Sequence, residues 1–170
     1  MMTIGHGTHA IDEFIRLLQQ HDVRALVDVR AFPRSRHNPQ FDRETLSASL
    51  ERAGLEYRWA QELGGRRTSA IETPNIALRH PAFRAYVDYM LTNEFIGALD
   101  ALLVDDGRQT AVMCSESVWW RCHRRLIADA VVLLRGEPVE HIMPDGKFVA
   151  HRPTEGVRVA DGQLIYDGKE

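Results

Sequence analysis

Residues 23–29, Val23-Arg24-Ala25-Leu26-Val27-Asp28-Val29, form an almost unbroken aliphatic run with a single acid near its end. A strand buried on both faces has this pattern, and such strands belong to parallel sheets covered by helices on each side. The rest of the chain repeats that grammar. Residues 2–5 are a short apolar run ending in Gly5-His6-Gly7, and Ile11, Phe14, Ile15 and Leu18 then recur with helical spacing. Helical signals return over 42–53, ahead of Gly54, and 55–59 reads as a third strand. Residues 83–103 predict one long helix or two broken near Thr92 and Asn93. Strands at 110–113 and 137–142 then flank a helix over 121–135.

This alternation predicts a three-layer α/β fold, a mostly parallel, Rossmann-like sheet flanked by helices. One domain spanning 1–170 is expected, with 143–170 a peripheral tail that adds antiparallel strands or drapes over an edge. Residues 31–41 and 61–81 lack a usable period and are rich in turn formers, so both are expected as loops.

Composition narrows the class. With 44% hydrophobic and 26% charged residues the chain is ordinary for a globular protein. No run of about 18 apolar residues occurs, so membrane insertion is not expected. Two cysteines cannot build a disulfide scaffold, and thiols in a reducing cytoplasm fit them better. The formal net charge of −3 gives no global attraction to nucleic acid, although arginines crowd residues 30–43 and 64–67.

In open α/β sheets ligands bind beyond the carboxyl ends of the strands. Three groups of residues are expected there: Gly5-His6-Gly7, the segment from Asp28 to Asn38, and Cys114 to Arg124. The last holds Cys114, Glu116, Arg121, Cys122, His123 and Arg124 within eleven residues. A helix beginning near Trp120 or Arg121 would put Cys122 and His123 in its first turn, where the helix dipole and neighbouring arginines favour a thiolate. Packing alone is the plainer reading of Cys122, because cysteine is often buried.

His6 lies between two glycines and can titrate near neutrality, so it is an acid-base candidate or a satisfied structural histidine. Asp28 and Arg30 suit a sheet-end ion pair, with Arg30 aimed into the crevice. Ser35, Asn38 and Arg66 are candidate anion contacts together with Arg30, Arg121 and Arg124.

The ordered motifs Thr3-Ile4-Gly5-His6, Val27-Asp28-Val29-Arg30, Asn38-Pro39-Gln40-Phe41, Leu63-Gly64-Gly65-Arg66, Phe83 to Met90, Met113-Cys114-Ser115-Glu116 and Cys122-His123-Arg124 resemble the family called domain of unknown function 488. The resemblance runs from Thr3 to about Ile142 and includes Pro33 and Ser35. That family takes its name from the lack of an assigned activity, so the resemblance supports the site and leaves the reaction open. The chain is similar more loosely to rhodanese-like and cysteine phosphatase domains. However, six residues separate Cys114 from Arg121 where the phosphatase signature has five, and two tryptophans stand in the loop.

The expected function is an enzyme acting on a small anionic or nucleotide-like substrate. Cys114 would be its nucleophile or redox thiol, Glu116 and His6 its acid-base groups, and Cys122 and His123 would complete the centre. A nucleotide or nucleic-acid binding module without catalysis is the first alternative, using the arginine loops with Trp59, Trp119 or Trp120. The second is a Cys/His metal site of Cys114, Cys122 and His123, with His6 as fourth ligand. Adjacent helical residues diverge by about 100°, which argues against that set, and no residue is assigned to a metal. The residues specify neither a cofactor nor an oligomeric state.

Overall fold

The structure, a computed structural model, describes residues 1–68, 72–104 and 106–169. Its main sheet has six strands: β1 (Met2–Gly5), β2 (Ala25–Asp28), β3 (Glu56–Trp59), β4 (Thr110–Cys114), β5 (Glu140–Ile142) and β6 (Phe148–Ala150). Their order is β3-β2-β4-β1-β5-β6. The first five are mutually parallel, and β6 pairs antiparallel to β5. The result is the mostly parallel α/β fold expected from the alternation of strand and helix signals.

Two apolar layers sandwich the sheet. Helices α1 (Ile11–Gln20) and α2 (Arg43–Arg52) bury Phe14, Leu17, Leu46 and Leu50 against Ile4, Leu26, Ala111 and Met113. On the opposite face α3 (Pro81–Tyr89), α4 (Asn93–Leu102) and α5 (Arg124–Arg135) pack on Val27, Val29, Val112 and Cys114. Strand alternation thus decides where Cys114 points, because Ala111 and Met113 face one layer while Val112 and Cys114 face the other. The break between α3 and α4 falls where Thr92 caps the second helix, its hydroxyl accepting from the Phe95 N–H at 3.3 Å.

The C-terminal segment contributes more than a peripheral drape. After β6, a separate hairpin of β7 (Val157–Ala160) and β8 (Gln163–Tyr166) delivers Leu164 and Tyr166 into the α3–α5 core layer. The physical reason is alternation in β8, which turns Leu164 and Tyr166 inward while Gln163 stays exposed. The loop read over 61–81 contains a short 3₁₀ turn, Gln61–Leu63, and its residues 69–71 lie outside the described residues.

Strand order also builds the site. Because β4 lies between β1 and β2, the residues at or just past the three carboxyl ends, Cys114, His6 and Arg30, become neighbours. Register fixes the level, with Gly5 opposite Cys114 and Asp28 opposite Met113.

Candidate active site

The first cleft beyond the sheet has a volume of about 570 Å³. His6, Arg30, Cys114, Cys122 and His123 line its inner part, and Arg34, Arg66, Glu116 and Arg121 line its mouth. Ser35 and Asn38 complete one wall, where the Ser35 hydroxyl accepts from the Asn38 N–H at 3.0 Å. Most residues singled out in the sequence therefore share one cavity, although they span 118 positions from His6 to His123, counted inclusively.

Cys114, Cys122 and His123 form its buried centre. The ligand atoms of the three lie within 4.8 Å of one another. His123 Nδ1 stands 3.8 Å from the Cys114 sulfur and 3.7 Å from the Cys122 sulfur. The other ring nitrogen, Nε2, is 3.1 Å from the Val29 carbonyl oxygen. A carbonyl can only accept, so Nε2 carries a proton and Nδ1 is the nitrogen turned toward the two sulfurs.

These contacts separate the two thiols electrostatically. Hydrogen bonding from Cys122 holds the Cys114 pKa well below the ordinary thiol value, with further help from His123 and Arg124 against the penalty of burial. Burial pushes Cys122 the other way, and the neighbouring Cys114 sulfur adds to that rise. Cys114 is therefore the more acidic thiol of the pair and Cys122 the one that keeps its proton and donates.

Helix α5 begins later than the sequence implies, and the delay shapes the centre. Trp119–Arg121 is a 3₁₀ turn closed by the Cys122 N–H on the Trp119 carbonyl at 3.1 Å. Cys122 itself is extended, at φ −118° and ψ 149°, and His123 caps the helix that starts at Arg124. Cys122 and His123 therefore do not share a helical turn, and the 100° divergence expected of adjacent helical side chains does not apply. Their side chains converge on Cys114 instead.

Arg124 departs from its expected role as an anion ligand. It is buried, and its guanidinium donates to the carbonyls of Ile4 at 3.1 Å, Glu116 at 2.6 Å and Ser117 at 3.1 Å. Three carbonyl acceptors engage its two terminal nitrogens, while Nε is buried without a partner among the described residues, so the side chain braces the Cys114 loop against β1. Gly5 makes room for this brace, since a Cβ there would stand 1.8 Å from the Glu116 oxygen and 2.8 Å from an Arg124 nitrogen.

On the other side of β4, Arg30 bridges structure and cleft. Asp28 grips it through Nε at 2.9 Å and Nη2 at 2.6 Å, and the Tyr57 hydroxyl donates to the same carboxylate at 2.8 Å. The remaining Nη1 faces His6 Nε2 at 3.4 Å. His6 donates Nδ1–H to the Gly7 carbonyl at 2.9 Å and stacks on Phe41 at 4.2 Å, and burial lowers its pKa. His6 is thus a neutral acceptor that orients Arg30, and its nitrogens are both engaged.

Sequence reasoning missed two contributors and placed a third, Trp119, differently. Gly64-Gly65 reads as a flexible turn, yet a Cβ on Gly65 would lie 2.5 Å from the His123 ring, so the glycine is a packing requirement. Tyr86 lies edge-on to His123 with centroids 5.1 Å apart and donates its hydroxyl to the Leu63 carbonyl at 2.8 Å. Trp119, placed in the cysteine loop by sequence, turns out of the thiol cleft and stacks on His141 at 4.3 Å. Gly65 and Tyr86 stand in no period that could have announced either contact.

Fold and site together define a class: an α/β protein with a buried Cys-Cys-His centre at the carboxyl edge of a parallel sheet, opening into an arginine-rimmed cleft. The chain belongs to the family described as Domain of unknown function DUF488, whose family model matches residues 10–131. No curated protein and no solved structure matches the chain significantly. The matched span takes in Arg30, Cys114, Cys122 and His123, while β1 with His6 lies before it. Among the described residues no helix is long and apolar enough to cross a membrane.

Proposed function

We propose that this protein is an enzyme acting on a small anionic or nucleotide-like substrate, with Cys114 as its nucleophile. The observation that carries this reading is one histidine ring nitrogen within 4 Å of two buried cysteine sulfurs, 3.8 Å from Cys114 and 3.7 Å from Cys122, on the floor of a cationic cleft. His123 Nδ1 is placed to take the Cys114 proton, and Cys122 donates a hydrogen bond to the thiolate that remains. Arg34, Arg66 and Arg121 are exposed on the cleft and form no ion pair among the described residues. Their forked donors suit phosphate or carboxylate, and they would hold the substrate's charge while its electrophilic atom meets the sulfur. Glu116 stands exposed at the same mouth and can exchange protons with a leaving group.

Substrate protection tests the reading. Inorganic phosphate or adenosine monophosphate should slow iodoacetamide labelling of Cys114, and Arg121→Ala should remove the protection. Rapid labelling that neither anion affects would contradict an anion-binding active site.

A second reading rests on the convergence of Cys114, Cys122 and His123. Two sulfurs and a nitrogen within 4.8 Å of one another are a set zinc accepts. The His123 Nε2–H on the Val29 carbonyl is also the outer hydrogen bond that metal-ligating histidines make. Labelling that starts only after a chelator is added would favour the metal over the free nucleophile.

A further inference from the structure

Past the wall formed by Phe83, the thiol cleft meets a second and larger hollow of about 980 Å³. Phe83 lines both, so the two hollows adjoin across that one side chain as the halves of a groove. Arg79, Arg152 and Lys169 stand exposed on the second hollow without an ion pair among the described residues, and Glu155 is the carboxylate that lines it. Arg34, Arg66 and Arg121 do the same in the first, opposite Glu116. In a chain of formal net charge −3, six cations against two carboxylates along these adjoining hollows are a marked segregation of charge.

Aromatic side chains stand among these cations. Phe32 is 64% exposed in the thiol cleft, with the Arg66 guanidinium 5.5 Å from its ring centre on one face, and Trp120 is 46% exposed in the second hollow. Between them the Arg125 guanidinium lies 4.6 Å over the Phe83 ring. Exposed large aromatics are costly to leave in water and serve as platforms for flat ligands.

We infer that this groove binds single-stranded nucleic acid, the six cations following the phosphates while Trp120 and Phe32 stack on bases. An acidic peptide would satisfy the charges and leave the aromatic faces idle, whereas a duplex hides the base faces they would meet. Each hollow is also of the size that takes a ligand of nucleotide dimensions. The inference deepens the proposed function by naming its substrate class, and it rests on that reading only where it brings one end of the strand to Cys114.

The test is fluorescence anisotropy with labelled mixed-sequence oligonucleotides of about 12 nucleotides, as DNA and as RNA, across a salt series. Single strands should bind with a steep salt dependence, and the Arg152→Ala/Lys169→Ala pair should lower the log–log slope by about 1.4. Trp120→Ala should weaken binding about fivefold or more, and Trp120→Phe should restore most of it. Thermal melts establish that each variant is folded. Undetectable binding of both strands, tighter binding of duplex, displacement by polyglutamate at equal charge, or variants indistinguishable from the parent would each overturn the inference. Iodoacetamide labelling of Cys114 on the same samples separates the two claims. Fast labelling without strand binding sinks the groove alone, and strand binding with an inert Cys114 sinks the nucleophile alone.

Discussion

His123 donates Nε2–H to the carbonyl of Val29 at 3.1 Å, and this single bond turns its Nδ1 toward both cysteines. Val29 directly follows β2 and is buried, so the sheet itself fixes the tautomer on which the thiol chemistry depends. Gly65 backs the ring from the other side. Gly65→Ala should therefore push the ring off the sulfurs, lower the thermal midpoint and slow Cys114 labelling at neutral pH. Gly97→Ala is the matched control, because its Cβ meets open space inside α4 and should add about 1 kcal/mol of stability. Equal labelling in parent and Gly65→Ala would show that ring position is irrelevant to the thiol.

Two arginines three residues apart should behave oppositely. Arg124→Ala strips three carbonyls of their buried donor, each loss costing about 1–3 kcal/mol, so urea melts should show a large drop in midpoint. Arg121 is exposed and makes no ion pair among the described residues, so Arg121→Ala should change stability by less than about 0.5 kcal/mol. A large stability loss in Arg121→Ala would place that side chain in the scaffold and remove it from the anion site.

Acid should weaken the fold through a buried histidine pair. Thr3 Oγ1 meets His141 Nδ1 at 2.7 Å, His141 Nε2 meets His151 Nδ1 at 2.9 Å, and His151 Nε2 meets Asp129 at 2.8 Å. Burial, assisted by His151 and Arg124, lowers the His141 pKa from 6.5 to about 3. Between those values the unfolded chain binds a proton that the folded protein refuses, so stability falls as pH drops from 6.5 toward 3. The slope from this one group is at most about 1.4 kcal/mol per pH unit. Urea midpoints at pH 7.5 and 5 measure it, and His141→Gln should lower both while narrowing the gap. A gap unchanged in His141→Gln would assign the acid sensitivity to other groups, with His6 the next candidate because burial lowers it too.

The fold was legible because its signals are local. The run at 23–29 and the helical spacing of Phe14 and Leu18 reflect two-faced and one-faced burial, and both appear in the sheet and in α1. The placement of Cys114 and Arg30 beside one cleft was legible because strand ends can be read from sequence. What escaped depended on contacts between distant segments. Arg124 looks like an anion ligand until the carbonyls of Ile4 and Glu116 are seen to occupy it. Trp119 looks like part of the thiol loop until His141, 22 residues later, stacks on it. The late start of α5 has the same origin, because the extended Cys122 is held by contacts to Cys114 and His123 that no helical propensity encodes.

Metal addition gives a sharp contrast between the two chemistries of the centre. Zinc offered to the reduced protein under anaerobic conditions should protect Cys114 and Cys122 together, and His123→Ala should weaken that protection markedly, since one of three ligands is lost. Protection of Cys114 alone, or protection indifferent to His123→Ala, would rule out a shared site.

The central claim is that Cys114 is a thiolate at neutral pH while Cys122 is not, and rates of iodoacetamide labelling across pH, resolved by peptide mass, test it most directly. Cys114 should label quickly at pH 7, with its half-maximal rate well below the model thiol value of about 8.5, and Cys122 should label slowly throughout. His123→Gln should carry the Cys114 profile back toward the model thiol. Slow labelling of both cysteines in the metal-free protein, with an unshifted profile and large stability losses in Cys114→Ser and Cys122→Ser, would contradict the account and make the pair core residues.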